Sequence, residues 1–187
     1  QGRELFRRRS SGKDMQEASR LLREAVGTDP QLAEAWATLA MVEVTLPGYT
    51  KEAYTDYMET AMESAQRALM LDPGQQDAKL AIANVLFIQG KHREALEQFG
   101  TVTDQHPRHT QARLWYAIAL YKVGYTTQAF EQISVAVKLD PIHAIMLDWY
   151  ARIALAADRP ELVFDMAERS IQLGRQQGRV PLMQLNI

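Results

Sequence analysis

The sequence predicts an all-α fold of stacked helix pairs, and three observations lead there. Pro73, Pro107 and Pro141 fall 34 residues apart, and a fixed period of that length marks a repeated helix-turn-helix unit. Each proline closes a like phrase: Leu71-Asp72-Pro73, Gln105-His106-Pro107, Leu139-Asp140-Pro141. Apolar residues recur at helical spacing almost throughout, and nowhere do Val, Ile and Thr alternate as in a strand. Stacked pairs of this kind build extended binding surfaces more readily than catalytic pockets.

The elements follow in order. Residues 3–9 read as a truncated first helix, and residues 18–26 as its partner, ending at Asp29-Pro30. Residues 33–46 open the next pair. Residues 78–87 and 92–103 form a clean pair around Gln89-Gly90-Lys91, with Gly90 free to take the left-handed conformation that ends a helix. Residues 112–123 and 127–139 form another around Gly124, with Thr126 or Thr127 expected to cap the second helix. Residues 145–157 and 162–173 make a weaker pair, with Pro160 suited to a first helical position. Second helices stop before X-Pro because proline disfavours helical geometry in the residue ahead of it. The frame divides the chain into an incomplete unit 1–30, a unit 31–73, units 74–107 and 108–141, a degenerate unit 142–175 and a cap or tail 176–187.

Two stretches depart from the period. Pro30 to Pro73 spans 43 residues, nine more than one repeat. The surplus sits around Leu46-Pro47-Gly48-Tyr49-Thr50 and the unbroken run 52–71. It reads either as an ordered loop with a slightly long helix, or as a helix overhanging by roughly two turns. In the second case Tyr49, Tyr54 and Tyr57 form a protrusion that meets another subunit or domain. Residues 176–187 carry several apolar side chains, among them Leu182 and Met183. They read as a helix on the last pair, as the start of a further repeat, or as a tail that docks into a neighbour. Tyr54, Tyr57, Leu182 and Met183 are therefore the candidates for self-association into a homodimer.

Composition narrows function by exclusion. The 187 residues are 47% hydrophobic and 24% charged, which is ordinary globular usage. A net charge of -2 gives no basic excess for nucleic acid. The absence of cysteine removes disulfides, thiolate catalysis and cysteine-ligated metals. No apolar run approaches the ~20 residues that span a bilayer. No phosphate loop, His-Glu-x-x-His or nucleophile elbow is present, so the sequence predicts no enzyme, no cofactor and no metal site. His106 and His109 bracket Pro107 without a third ligand and read as a turn. Arg7-Arg8-Arg9 with Lys13 reads as a solvated helix end. Asp148 and Arg152 stand four apart and can pair on one helix face. The scattered methionines read as core filler.

These residues resemble the tetratricopeptide repeat. Its pattern of a bulky residue, a small pair and Tyr in the first helix, then Ala, a bulky residue, Ala and Pro, is met along the chain. It is carried by Trp36, Leu39, Ala40, Ala61, Ala65, Ala68 and Pro73, and by Ile82, Ala83, Leu86, Gly90, Ala95, Phe99, Val102 and Pro107. Tyr116, Ala117, Leu120, Gly124, Ala129, Ile133, Ala136 and Pro141 carry it again, and Tyr150, Ala151 and Ala167 more weakly. The resemblance implies a right-handed superhelical solenoid of antiparallel pairs whose first helices line a groove for a protein or peptide. By that geometry Ala37, Met41, Val44, Leu80, Asn84, Phe87, Leu114, Ile118, Tyr121, Asp148, Arg152 and Leu155 point into the groove. Trp115 and Trp149 stand at its side. Leu80 and Leu114 occupy positions where carboxylate-clamping relatives carry cations, so a terminal carboxylate is not the expected ligand.

Residues 2–10, 35–40 and the insertion, with Trp115-Tyr116, further resemble repeat segments behind bacterial cyclase or winged-helix domains. That narrower likeness implies a fragment of a larger cytoplasmic regulator. A periplasmic assembly factor is the alternative, favoured if a signal or anchor lies upstream. Neither nucleic acid nor membrane is an expected partner of this stretch.

Overall fold

The computed structural model describes residues 1–9, 11–50 and 52–176. Among them eleven α-helices follow one another: α1 (Gly2–Arg8), α2 (Gly12–Thr28), α3 (Ala33–Thr45), α4 (Pro47–Thr50), α5 (Thr55–Leu71), α6 (Gln76–Ile88), α7 (His92–Gln105), α8 (Thr110–Lys122), α9 (Thr126–Leu139), α10 (Ala144–Ala156) and α11 (Val163–Gln176). A single 3-10 turn, Pro160–Leu162, precedes α11. The helices gather in two compact units, Gln1–Gln98 and Phe99–Ile187.

Each unit repeats one packing scheme. In the first, α1 packs on α2, α2 on α3, α3 on α5 and α5 on α6, while α1 touches α3 and α3 touches α6. In the second, α8 packs on α9, α9 on α10 and α10 on α11, and α8 touches α10. A first helix thus meets its own partner, the preceding second helix, and the next first helix. Small side chains permit this. Ala61, Ala95 and Ala129 lie 34 residues apart and are all fully buried, as are Ala68 and Ala136. Large apolar side chains fill between pairs, as where Val44, Ala61 and Val85 join Met58, Met62 and Ile88 across α3, α5 and α6.

The punctuation has local causes. Asp29, Asp72 and Asp140, each ahead of a proline, leave helical geometry for φ near -132°, -146° and -139°. Ser11 caps α2, its hydroxyl accepting from the Asp14 N–H. The expected threonine cap of α9 is not formed. Tyr125 occupies the N-cap position without a side-chain bond, and Thr126 is already helical. Gly90 and Gly124 sit at φ +80° and +92°, where a Cβ is strained. Gly124→Ala is therefore expected to cost about 1 kcal/mol. Gly27→Ala is expected to gain about 0.5–1 kcal/mol, since Gly27 is inside α2 and a Cβ there meets nothing within 4 Å. Thermal melts of the two variants should move in opposite directions, and a matching sign would contradict the backbone argument.

The insertion folds back rather than projecting. Pro47 starts α4, where its missing N–H removes no helical bond. The helix α4 rests on α2 and α3. A Cβ on Gly12 would come within 2.9 Å of the Tyr49 carbonyl oxygen, so α4 lies hard against the start of α2. At 17 residues α5 is three longer than α7 or α9, less than one turn. The two-turn overhang is not formed, because α4 and the link to Thr55 absorb the extra residues.

Candidate functional site

The predicted groove residues separate by burial. In the first unit Ala37, Met41, Val44 and Leu80 are buried. Packing inside the unit leaves these four side chains almost no open surface. This corrects the expectation that they line an open groove. Asn84 and Phe87 on α6 remain half-buried. The Asn84 amide donates to the Leu80 carbonyl of its own helix at 2.9 Å. Phe87 packs its ring 4.6 Å from that of His92.

The same correction applies in the second unit to Leu114, Ile118 and Asp148, which are buried, while Trp115, Tyr121, Trp149 and Arg152 stay partly open. Here the structure does gather the predicted residues. Tyr121 on α8 meets Trp149 on α10 edge to face, with ring centres 6.1 Å apart at 67°. The Arg152 guanidinium lies over the Trp149 ring at 5.9 Å, and its Nε donates to Asp148 Oδ2 at 3.3 Å. The predicted Asp148–Arg152 pair therefore forms, with the carboxylate inside and the arginine at the surface. Leu155, the next residue along this stripe of α10, is 60% exposed. The result is an aromatic and aliphatic strip with one fixed guanidinium at its edge.

The self-association candidates fare differently. Tyr54 is exposed, but its hydroxyl lies 3.3 Å from where a Cβ of Gly48 would stand, closing the insertion on itself. Tyr57 is half-buried and donates its phenolic proton to the Glu52 carboxylate. That bond, aided by burial, holds the phenol neutral and pushes its pKa up to about 12. Leu182 and Met183, and the whole of 177–187, lie outside the described residues.

Other features were not legible beforehand. His109 is a helix cap, its Nδ1 accepting from the Ala112 N–H at 3.1 Å. This gives the His106–His109 turn a structural use. Among the described residues no three His, Asp or Glu side chains gather to hold a metal. No described helix is long and apolar enough to cross a membrane. Arg9 is buried rather than solvated, in left-handed geometry at φ 44°, with its guanidinium 4.6 Å above the Phe6 ring. A cavity of about 480 Å³ opens in the first unit among α1, α2 and α3, lined in part by Leu21, Ala25, Leu32 and Ala35.

Comparison with known proteins places this architecture. The tetratricopeptide repeat family model matches residues 80–141. The chain is similar in structure to TTC0263, a tetratricopeptide repeat protein of Thermus thermophilus, with a TM-score of 0.70 at 16% identity over 88% of this chain and 85% of that one. It is similar to YrrB, described as a tetratricopeptide repeat protein with an unusual peptide-binding site, with a TM-score of 0.53 at 18% identity over 86% and 78%. It is also similar to MamA of Desulfovibrio magneticus RS-1, with a TM-score of 0.55 at 18% identity over 88% of each chain. No curated protein matches. The fold is that of the tetratricopeptide repeat, an all-α solenoid class of helix pairs that generally mediates protein–protein interaction.

Proposed function

We propose that this chain is a non-catalytic docking module that holds a protein or peptide segment on the α8/α10 face. The observation that carries the reading is the cluster of Tyr121, Trp149 and Arg152, extended by Leu155. Tyr, Trp and Arg dominate interface hot spots because they bring large contact area and fixed donors at small entropic cost. The fold class supports the reading, and so does the peptide-binding site of YrrB in a similar architecture. Asn84, Phe87 and Trp115 are secondary candidates, since each keeps an open edge.

The repeat frame proposed with it runs 1–30, 31–73, 74–107, 108–141 and 142–175, set by Pro30, Pro73, Pro107 and Pro141. The wider reading is a repeat segment of a larger cytoplasmic bacterial regulator. It is supported by the resemblance of residues 2–10, 35–40 and Trp115-Tyr116 to the segments behind cyclase and winged-helix domains. Among the described residues, Tyr54 is the exposed candidate for homodimerisation.

Panning a displayed library of short random peptides on the immobilised protein tests the site. Enriched peptides are expected to bind at least about tenfold more weakly to Trp149→Ala, with helix content unchanged by circular dichroism. Enriched binders indifferent to both Trp149→Ala and Tyr121→Ala would reject the α8/α10 face.

A further inference from the structure

Helix α11 carries an apolar face that the rest of its unit leaves largely open. Val163, Met166, Ala167, Ile171 and Leu173 are only half-buried, and Phe164 is 83% exposed. The equivalent helix α9 buries Ala129, Ile133 and Ala136 completely. The 34-residue period shows what such a face meets elsewhere. Met62, Leu96 and Phe130 hold the position of Phe164, and all three are half-buried. Met62 packs against the cluster of Val44, Ala61 and Val85. Phe130 meets Tyr150 of the following first helix, α10, with ring centres 5.4 Å apart. Among the described residues α11 packs on α10 and the 3-10 turn, and no helix follows it. Residues 177–187 contain no aromatic side chain to take the place of Tyr150.

The exposed stripe of α11 is complementary to itself. Phe164, Glu168, Ile171 and Arg175 follow at i, i+4, i+7 and i+11, within about 60° of arc on the helix. Three of the four are exposed and Ile171 is half-buried. Turned antiparallel about the midpoint of α11, two copies set each Phe164 against the partner's Arg175. Each Glu168 then lies against the partner's Ile171, one turn from the same guanidinium. Arginine is suited to both contacts, over the face of an aromatic ring and onto a carboxylate. A parallel pair would instead set Glu168 on Glu168 and Arg175 on Arg175, which is repulsive. We propose that α11 is a self-association surface, on which a second copy of this chain docks antiparallel through this stripe. Such a two-fold contact uses the same patch on both copies. It shares no residue with the α8/α10 strip, so its failure leaves the docking reading intact.

Sedimentation equilibrium of the full chain from ~5 µM to ~1 mM tests this, since one helix pair lies at the small end of specific interfaces. The chain is expected to pass from monomer to dimer across that range. Phe164→Ser should weaken the dimer at least about tenfold. The ring is exposed in the single chain, so at ~5 µM this variant should melt within ~4 °C of the parent. Glu168→Arg and Arg175→Glu should each lose the dimer. An equal mixture of the two should regain it, because the heterodimer restores both opposite-charge contacts. A chain that stays monomeric to ~1 mM would overturn the proposal. So would a dimer indifferent to Phe164→Ser, or a mixture that associates no better than its components. A larger fall in the dilute Phe164→Ser melt would show the ring covered within one chain, and would also reject the second copy as its occupant.

Discussion

Replacing Arg23 with alanine is expected to lower stability by about 3 kcal/mol, far more than an exposed arginine usually contributes. The Arg23 side chain is itself 52% exposed, but the Glu43 it serves is 1% exposed on α3. Arg23 Nη2 donates to Glu43 Oε1 at 2.6 Å, and the Ser64 hydroxyl donates to Oε2 at 3.0 Å. The carboxylate thus joins α2, α3 and α5. Desolvation is the largest influence on it and pushes its pKa above the ordinary 4.5, with Arg23 and Ser64 pulling back and Glu63 pushing further. Without Arg23 the buried charge loses its chief compensation, so the carboxylate either stays ionised at a penalty or takes up a proton.

The pH dependence follows in sign. A folded-state pKa above the unfolded one means that, between the two, the folded protein binds the extra proton. Stability then rises as pH falls through the folded value toward 4.5, and falls as pH rises. Arg23→Ala removes a lowering influence, so it should widen that window and steepen the slope. Glu43→Gln should abolish the slope, and at neutral pH should cost less than Arg23→Ala because it leaves no buried charge. Urea titrations across this pH range measure both. A loss under about 1 kcal/mol for Arg23→Ala, with an unchanged slope, would show that water replaces the arginine without penalty.

The period was legible because it records contacts that recur. Ala61, Ala95 and Ala129, one period apart, are all fully buried, so local sequence and local packing say the same thing. The groove was only half legible, because spacing along a helix states which residues share a stripe but not how near the next first helix lies. Leu80 and Asn84 share a stripe on α6, yet Leu80 is sealed and Asn84 is only half-buried. The pairing of Asp148 with Arg152 could be read from four-residue spacing, since it lies within one helix. Glu43 could not be assigned partners, since Arg23 and Ser64 lie 20 and 21 residues away on other helices. Its one signal was an acid embedded in the apolar run of α3. Helix α4 was hidden for a different reason: the stretch around Pro47 and Gly48 read as part of a loop, although proline is well placed at the first turn of a helix.

Phe99→Ala is expected to destabilise the second unit by about 3–5 kcal/mol. Phe99 is 1% exposed on α7, and its ring stacks 6.4 Å from that of Tyr116 at 24°. The positions one period away hold Ala65 and Ile133, both fully buried, so the repeat backbone tolerates side chains of very different volume there. Alanine is therefore not excluded by backbone geometry, and the loss comes from the cavity and from the ring left uncovered. Tyr116 reports on that directly. Burial is the main cause raising its phenol above the ordinary 10.0, with Asp104 adding to it. Opening the Phe99 site should bring the phenol back toward that value, read by ultraviolet titration of the folded variant. Phe99→Leu keeps most of the volume and should lose much less, about 1–1.5 kcal/mol. If Phe99→Ala instead loses under about 1 kcal/mol while the Tyr116 phenol stays raised, the tyrosine has collapsed into the space. The repeat would then adapt by moving its first-helix aromatic, which is the freedom that lets one period carry Ala, Phe and Ile at one position.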